Sequence, residues 1–267
     1  MRIRYLRHAA EQRSREAAVL LVHGLLGYSF SWRHNLNALA QHAAIYAPDL
    51  PGVGLSERSR QLDCTMGGLA RVLLRFMDAA GIGTADLLGT SHGGAVTMML
   101  AAAAPERIRR MVLVAPVNPW SRHGTLLLRL LAGTAGPALV RSIFAVGELA
   151  PRTLLARLYG DPRRIRPGTV EAYAEAAAVP GTREHLLRVV RCWSGDLREL
   201  ESVLPRIAHI PTLLVWGERD TAVRLESAEQ LRRRFASAEL VVMRGTGHMP
   251  YEEAPDEFNA IVQRFLK

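Results

Sequence analysis

Residues 85–104 read ADLLGTSHGGAVTMMLAAAA, and this stretch decides the fold. The apolar run at 85–89 predicts a buried β-strand, and residues 93–104 predict a helix that stops at Pro105. Between strand and helix lies the pattern Gly-x-Ser-x-Gly, with Ser91 at its centre. Such a turn holds its serine in a strained backbone conformation and lifts the hydroxyl above the carboxyl end of the sheet. We therefore interpret Ser91 as a catalytic nucleophile.

The rest of the chain alternates short apolar strands with helical stretches. Further strands are predicted at 17–23, 44–47, 110–115, 212–216 and 239–243, and further helices at 227–235 and 255–266. This alternation is typical of an α/β fold, in which helices cover both faces of a mostly parallel central sheet.

The alternation stops between residues 117 and 210. This segment has no clear strand, and Gly-Pro, Asp-Pro and Pro-Gly pairs divide it, which predicts several helices. It holds 13 arginines against 8 acidic residues. We predict that 117–210 is a helical lid, inserted into an α/β core formed by residues 1–116 and 211–267.

A catalytic serine needs a base, and the base needs an acid that orients it. His248 is the predicted base, because it follows the last strand in the glycine-rich loop GTGHMP. Asp220, at the end of the preceding strand, is the predicted acid, with Glu218 and Asp196 as rivals. The order Ser, Asp, His along the chain is the one expected for this motif. After the strand at 110–115 the sequence continues Pro-Val-Asn, which offers no carboxylate.

An acyl-transfer site also needs donors for the developing oxyanion. The backbone N–H of His92, directly after the nucleophile, is one predicted donor. The other is expected in the loop HGLLG after the first buried strand, where Leu25 N–H is the first choice and Leu26 N–H the second. His23, at the start of this loop, is interpreted as a buried hydrogen-bonding residue that shapes it.

Composition excludes several classes of protein. The 267-residue chain has a formal net charge of +9, but its 34 basic residues are all arginine except Lys267. No nucleic-acid-binding motif accompanies this charge, so we expect no nucleic-acid partner. No apolar run reaches the roughly 18 residues of a membrane span, and the charged N-terminus lacks the apolar segment of a signal peptide. Two cysteines indicate a reducing compartment, so a cytoplasmic location is expected.

Several segments together resemble a known family. VLLVHGLLG, APDLPGVGLS, LLGTSHGG, TLLVWGERD and GTGHMPYEEAP occur in the order found in the α/β-hydrolase superfamily of lidded serine hydrolases. The chain is similar in particular to carboxylesterases and to hydrolases that cleave carbon–carbon bonds in ring-fission products. The resemblance implies an α/β-hydrolase fold with eight mostly parallel strands, a lid after the sixth strand, and hydrolysis without a cofactor or metal. The family usually begins with an antiparallel hairpin, whereas the only candidate strand before the first buried strand is residues 3–6, so the sequence leaves open whether the first edge strand is present.

The resemblance and the predicted site favour a serine esterase that acts on a small-molecule acyl substrate. Carbon–carbon bond hydrolysis is an alternative, and so is a ligand receptor with slow turnover on the same scaffold. The basic lid could also dock an acidic carrier protein, and the sequence leaves monomer and dimer open. Candidate pocket walls are the large apolar and aromatic residues of the lid: Trp120, Leu126, Leu127, Leu128, Leu130, Leu131, Phe144, Leu154, Leu155, Tyr159, Tyr173 and Trp193.

Overall fold

The computed structural model describes residues 1–10, 18–41, 43–121, 130–145 and 149–267, without the side chains of 143–145. Its strands are β1 (Tyr5–His8), β2 (Ala18–Val22), β3 (Ile45–Pro48), β4 (Ala85–Thr90), β5 (Ile108–Val114), β6 (Thr212–Gly217) and β7 (Ala238–Met243). Its α-helices are α1 (Leu36–Leu39), α2 (Met66–Ala79), α3 (Ser91–Ala103), α4 (Gly136–Ala145), α5 (Leu149–Leu158), α6 (Thr169–Ala178), α7 (Thr182–Ile207), α8 (Glu226–Arg232), α9 (Pro250–Glu253) and α10 (Pro255–Leu266). Short 3₁₀ helices lie at Ser29–Trp32, Pro105–Arg107 and Pro162–Arg164.

The strands form one sheet in the order β1-β3-β2-β4-β5-β6-β7. β1 pairs antiparallel with β3, and all other neighbours are parallel. The predicted α/β fold with a mostly parallel sheet is confirmed. Each strand predicted from the sequence is present, and its ends lie within two residues of the predicted ones.

The N-terminal edge of the sheet differs from the expectation. The resemblance implied eight strands, whereas the described residues form seven, with β1 as a single antiparallel edge strand. Tyr5–His8 pair with Ile45–Pro48, and no strand precedes them in residues 1–4. As a result the helical segment at 117–210 follows β5 instead of a sixth strand.

Helix α2 was not predicted from the sequence. Two glycines, Gly67 and Gly68, stand in its first turn, where they lower the helix propensity. Two features offset them. The Thr65 side chain accepts a hydrogen bond from the Gly68 N–H and caps the helix, and one face, including Leu69 and Leu73, is buried against the sheet.

Both faces of the sheet are covered, which explains why its inner strands are continuously apolar. Every residue of β2 is buried. Leu20 and Val22 pack in the core that contains α2 and α3, whereas Val19 and Leu21 pack in the core that contains α10. This alternation follows from the two-residue period of a strand.

Helix α7 connects the helical segment to the core. Its C-terminal part, with Leu200 and Leu204, packs in the same core as the sheet, where α7 lies against α3. Its N-terminal part, with Leu186 and Val190, packs against residues of the 130–140 region. α7 therefore contributes to both regions, and the division of the chain at residues 117 and 210 stays a prediction. None of the described helices has the length and hydropathy needed to span a bilayer.

Asp196 ties α7 to the start of α2. Its carboxylate accepts a hydrogen bond from the backbone N–H of Met66, which begins α2 and has no partner within the helix. The residue is 2% exposed, and its second oxygen has no hydrogen-bond partner among the described residues. Burial, with a smaller contribution from nearby acidic groups, raises the pKa of Asp196 to about 7.

The raised pKa predicts a stability that falls with pH. The folded protein holds the Asp196 proton more tightly than the unfolded chain, so this contribution is complete below about pH 4 and is lost as the pH rises toward 7. Asp196→Asn keeps the acceptor and removes the titration. Urea unfolding at pH 5 and pH 8 should show a drop in the free energy of unfolding that is larger in the wild type by about 1–2 kcal/mol. An equal drop in both proteins would contradict the assignment.

The turn between β4 and α3 depends on glycine. A Cβ on Gly93 would overlap the carbonyl oxygen of His23, which is a backbone atom that cannot rotate away. Gly195, in α7, has no atom within 4 Å of a built Cβ. Both glycines lie in helices, and space for a methyl group exists at Gly195 but not at Gly93.

Gly93→Ala should lower the free energy of unfolding by about 1–3 kcal/mol or more, because the added carbon overpacks the turn. The matched control, Gly195→Ala, should raise it by about 0.5–1 kcal/mol through helix propensity. Urea denaturation of both variants measures the difference. Equal stability of the two variants would show that the turn tolerates a side chain.

Candidate active site

Ser91 lies at a strained turn on the carboxyl edge of the sheet. β4 ends at Thr90 and α3 begins at Ser91, so the predicted strand-to-helix turn is confirmed. The backbone of Ser91 has φ +52°, in the left-handed region that side chains rarely occupy. Gly24 comes so close that a Cβ built on it would lie 3.2 Å from the Ser91 Cβ. The turn thus presents the serine to the loop after β2.

His248 lies in the loop between β7 and α9. Its backbone N–H donates a hydrogen bond to the carbonyl oxygen of Leu158 at 2.6 Å, which fixes the loop against the end of α5. Its side chain is buried, and Nδ1 donates to Oδ2 of Asp220 at 2.7 Å. Because Nδ1 carries the proton in this bond, Nε2 is left with a lone pair.

Asp220 is held in place by the backbone around it. Its Oδ1 accepts hydrogen bonds from the N–H groups of Ala222 at 2.8 Å and Val223 at 3.0 Å. The side chain is buried, so the carboxylate has one orientation, with Oδ2 toward His248. A carboxylate fixed in this way can set the tautomer of a histidine and stabilise its charged form.

The two rival carboxylates lie elsewhere. Glu218 is exposed, and its Oε2 accepts a hydrogen bond from the N–H of Gly245 at 2.9 Å. Asp196 lies at the joint between α7 and α2. The structure therefore joins His248 to Asp220 and to neither rival.

Ser91 and His248 line the same cavity, which has a volume of about 680 Å³. Its walls come from the loop after β2, from the start of α3, from the loop that bears His248 and from helices of the 117–210 segment. Most of the lining side chains are apolar, as expected of a small-molecule pocket. The predicted nucleophile and base thus line one cavity, and the predicted acid contacts the base, although the three are 28 to 157 positions apart in the chain.

The loop after β2 forms a tight turn beside Ser91. The N–H of Gly27 donates to the carbonyl of Gly24 at 3.0 Å, and Leu26 has φ +60° at the centre of the turn. Leu25 and Leu26 both line the cavity, and neither N–H donates to another described residue. The N–H of His92 is at the N-terminus of α3, where backbone donors have no partner within the helix. Leu25 and His92 N–H as oxyanion donors, with Leu26 as the second choice, stay predictions.

Two neighbouring histidines have structural roles. His23 is fully buried, donates from Nδ1 to the carbonyl of Gly24 at 2.8 Å and accepts at Nε2 from the Leu50 N–H at 2.8 Å. It shapes the loop as predicted, and burial lowers its pKa. Burial also lowers the pKa of His92 to about 3, and its ring stacks on Trp193 with centroids 5.6 Å apart.

Two buried glutamates close to His248 were not predicted from the sequence. Glu253 accepts from the Gly247 N–H at 2.7 Å through Oε1 and from the Gly160 N–H at 2.8 Å through Oε2. Burial raises the pKa of Glu253, against the effect of these backbone donors. It therefore braces the loop of His248 against the helical segment. Glu252 is part of a second buried network of hydrogen bonds and ion pairs. The signal was present, since two adjacent acidic residues follow an otherwise apolar Met-Pro-Tyr run.

The predicted pocket walls are correct in part. Leu131, Leu154, Leu155 and Tyr173 line the cavity. Trp120, Leu130, Tyr159 and Trp193 are not among its lining residues, and Leu126, Leu127, Leu128 and the side chain of Phe144 lie outside what the structure describes. Further apolar lining residues that were not predicted from the sequence include Val140, Leu149, Leu158, Leu186, Val190, Met249 and Tyr251. Within the described ranges no cluster of three His, Cys, Asp or Glu residues is arranged to hold a metal ion.

Comparison with known proteins identifies relatives over nearly the whole chain. The model of the alpha/beta hydrolase fold family matches residues 17–255. A 2-hydroxymuconate semialdehyde hydrolase from Pseudomonas sp. (strain CF600) is 29% identical over 88% of this chain and 81% of its own length. An uncharacterized hydrolase, YugF, from Bacillus subtilis (strain 168) is 27% identical over 93% of this chain and 89% of its own.

Solved structures have the same fold. The 2-hydroxy-6-oxo-6-phenylhexa-2,4-dienoate hydrolase of Rhodococcus sp. strain RHA1 is 28% identical, with a TM-score of 0.79 over 94% of this chain and 90% of its own. The epoxide hydrolase CorEH has a TM-score of 0.86 at 17% identity, over 98% of this chain and 94% of its own, which shows the fold alone. The chain therefore belongs to the alpha/beta hydrolase fold family and is a hydrolase of that fold.

Proposed function

We propose that this chain is a serine hydrolase that cleaves carboxylic esters of small to medium acyl or aromatic compounds. Ser91 is the nucleophile, His248 the base and Asp220 the orienting acid. One observation carries the proposal: His248 donates from Nδ1 to a rigidly held Asp220 at 2.7 Å and lines the same cavity as Ser91.

The proposed mechanism is a two-step acyl transfer. The Ser91 hydroxyl attacks the ester carbonyl, and His248 Nε2 takes its proton and returns it to the leaving alcohol. Water then hydrolyses the acyl-enzyme with the same histidine as base. The N–H groups of Leu25 and His92 stabilise the oxyanion in both steps. No cofactor takes part.

We propose that residues 117–210 act as the lid over the cavity, since helices from this segment supply many of its walls. Cys64 and Cys192 are free thiols, which supports the proposal that the protein is located in a reducing compartment such as the cytoplasm. The proposed partner is a small-molecule ester substrate. The proposal leaves open whether the active form is a monomer or a dimer.

A second candidate function is the hydrolysis of a carbon–carbon bond. Two proteins whose names describe semialdehyde and phenylhexadienoate hydrolases are 29% and 28% identical to this chain. The same three residues would serve this reaction. The test is to measure kcat/KM on a series of p-nitrophenyl esters and on ring-fission products. A higher value on the esters supports the esterase proposal, and a higher value on the ring-fission products supports carbon–carbon bond hydrolysis.

Replacing Asp220 and Glu218 separately by their amides tests the triad. Asp220→Asn should lower kcat on a p-nitrophenyl ester on the order of 10⁴-fold, because the amide favours the wrong histidine tautomer. Glu218→Gln is the matched control two positions away, and it should keep kcat near the wild-type value, since Glu218 is exposed and bonded to Gly245. A large loss in the control, or none in Asp220→Asn, would contradict the assignment of the acid.

A further inference from the structure

One side of the largely apolar cavity has a pair of hydroxyl groups. Ser31, in the 3₁₀ helix Ser29–Trp32, and Tyr173, in α6, both line the cavity. Their oxygens are 2.8 Å apart, and both residues are buried. This contact joins the core to the lid across 142 positions of the chain.

Behind this pair lies a buried ion pair. Tyr173 donates its hydroxyl proton to Oε1 of Glu252, and Tyr159 donates to Oε2 at 3.0 Å. Glu252, whose side chain is completely buried, is paired with Arg33 at 2.7 Å. Burial would lower the pKa of Arg33, but the charge of Glu252 and its hydrogen bond raise it overall, so the guanidinium stays charged.

The ion pair fixes the direction of every hydrogen bond in this network. A carboxylate only accepts, so the Tyr173 proton must point to Glu252. Burial, together with the charge of Glu252, raises the pKa of Tyr173 far above its ordinary value, and the phenol keeps that proton. The contact with Ser31 must therefore be made by the Ser31 proton, donated to the Tyr173 oxygen. Ser31 is left with lone pairs and no proton to offer.

We propose that Ser31 Oγ is a hydrogen-bond-accepting subsite of the cavity, which binds a hydroxyl or N–H group of the substrate. The inference rests on the proposed function and names its substrate class: esters that carry a hydroxyl or amide donor. A ligand that expels water without offering a donor leaves the acceptor unpaired in an apolar cavity, which is unfavourable. An ether or carboxylate at the same point would place one acceptor against another.

A matched ligand series tests the subsite. The probes are hexanoate esters with a hydroxyl or a methoxyl group at C2, C3 or C6. The unsubstituted hexanoate ester is the reference. Binding of the ethyl esters to Ser91→Ala protein is measured by calorimetry, which does not depend on turnover. We expect the hydroxyl ester at one of the three positions to bind about five- to tenfold more tightly than its methoxyl partner, the scale of a single buried hydrogen bond.

Variants of the network, made in the Ser91→Ala protein, separate recognition from folding. Ser31→Ala should remove the preference for the hydroxyl ester and leave binding of the unsubstituted ester unchanged. Tyr173→Phe frees the Ser31 proton, so Ser31 becomes able to donate, and binding of the methoxyl ester should increase until the preference disappears. If Ser31 and Tyr173 had a purely structural role, the substitutions would weaken binding of the hydroxyl, methoxyl and unsubstituted esters alike. Ser142→Ala, on an exposed lid serine bonded to the Ala138 carbonyl, is the control and should keep the preference.

The outcomes distinguish the two proposals. Equal binding of hydroxyl and methoxyl esters at all three positions overturns the subsite, whether or not the wild type is an esterase. Absence of hydrolysis of every p-nitrophenyl ester by the wild type overturns the esterase proposal, while the calorimetry still decides on Ser31. A preference that persists in Ser31→Ala places the acceptor elsewhere and also overturns the inference.

Discussion

The backbone of Ser91 is the constraint on which the rest of the structure depends. A serine with φ +52° between a strand and a helix is strained, and the surroundings must hold it there. Gly93 provides room for the His23 carbonyl, and Gly24 approaches the serine side chain directly. Because α3 begins at this residue and is buried along nearly its whole length, the strain is offset by the packing of the central helix. The strained turn also places the serine at the end of β4, where it lines the cavity.

The second half of the site is positioned by backbone packing of a similar kind. β6 and β7 end side by side, and a Cβ on Gly217 would overlap the Gly247 backbone. The loop with His248 can therefore lie directly on the end of β6, where Asp220 follows. Glu253 adds the link to the helical segment through the N–H groups of Gly247 and Gly160. The imidazole is thus fixed by its carboxylate partner, its own backbone and a neighbouring glutamate.

The sequence predicted what depends on local pattern and failed where tertiary contacts decide. Strands buried on both faces are continuously apolar, so they could be located, and α10 was predicted at its observed bounds, Pro255–Leu266. The candidate triad followed from motifs at strand ends. α2 was missed because Gly67 and Gly68 weaken its first turn. The cavity walls could not be sorted, because an apolar residue on a helix of the 117–210 segment can face either neighbouring helices or the cavity with the same periodicity. The contact of Ser31 with Tyr173 leaves no trace in the sequence, since it joins two distant segments.

The most direct test of the account is covalent labelling with a fluorophosphonate, which reacts with activated serines. Mass spectrometry of the labelled wild type should find one adduct, on the peptide that contains Ser91, and none in Ser91→Ala protein. Pre-incubation with a substrate ester should slow the labelling. An adduct on another residue, or an unreactive wild type that is correctly folded, would contradict the claim that Ser91 is the activated nucleophile.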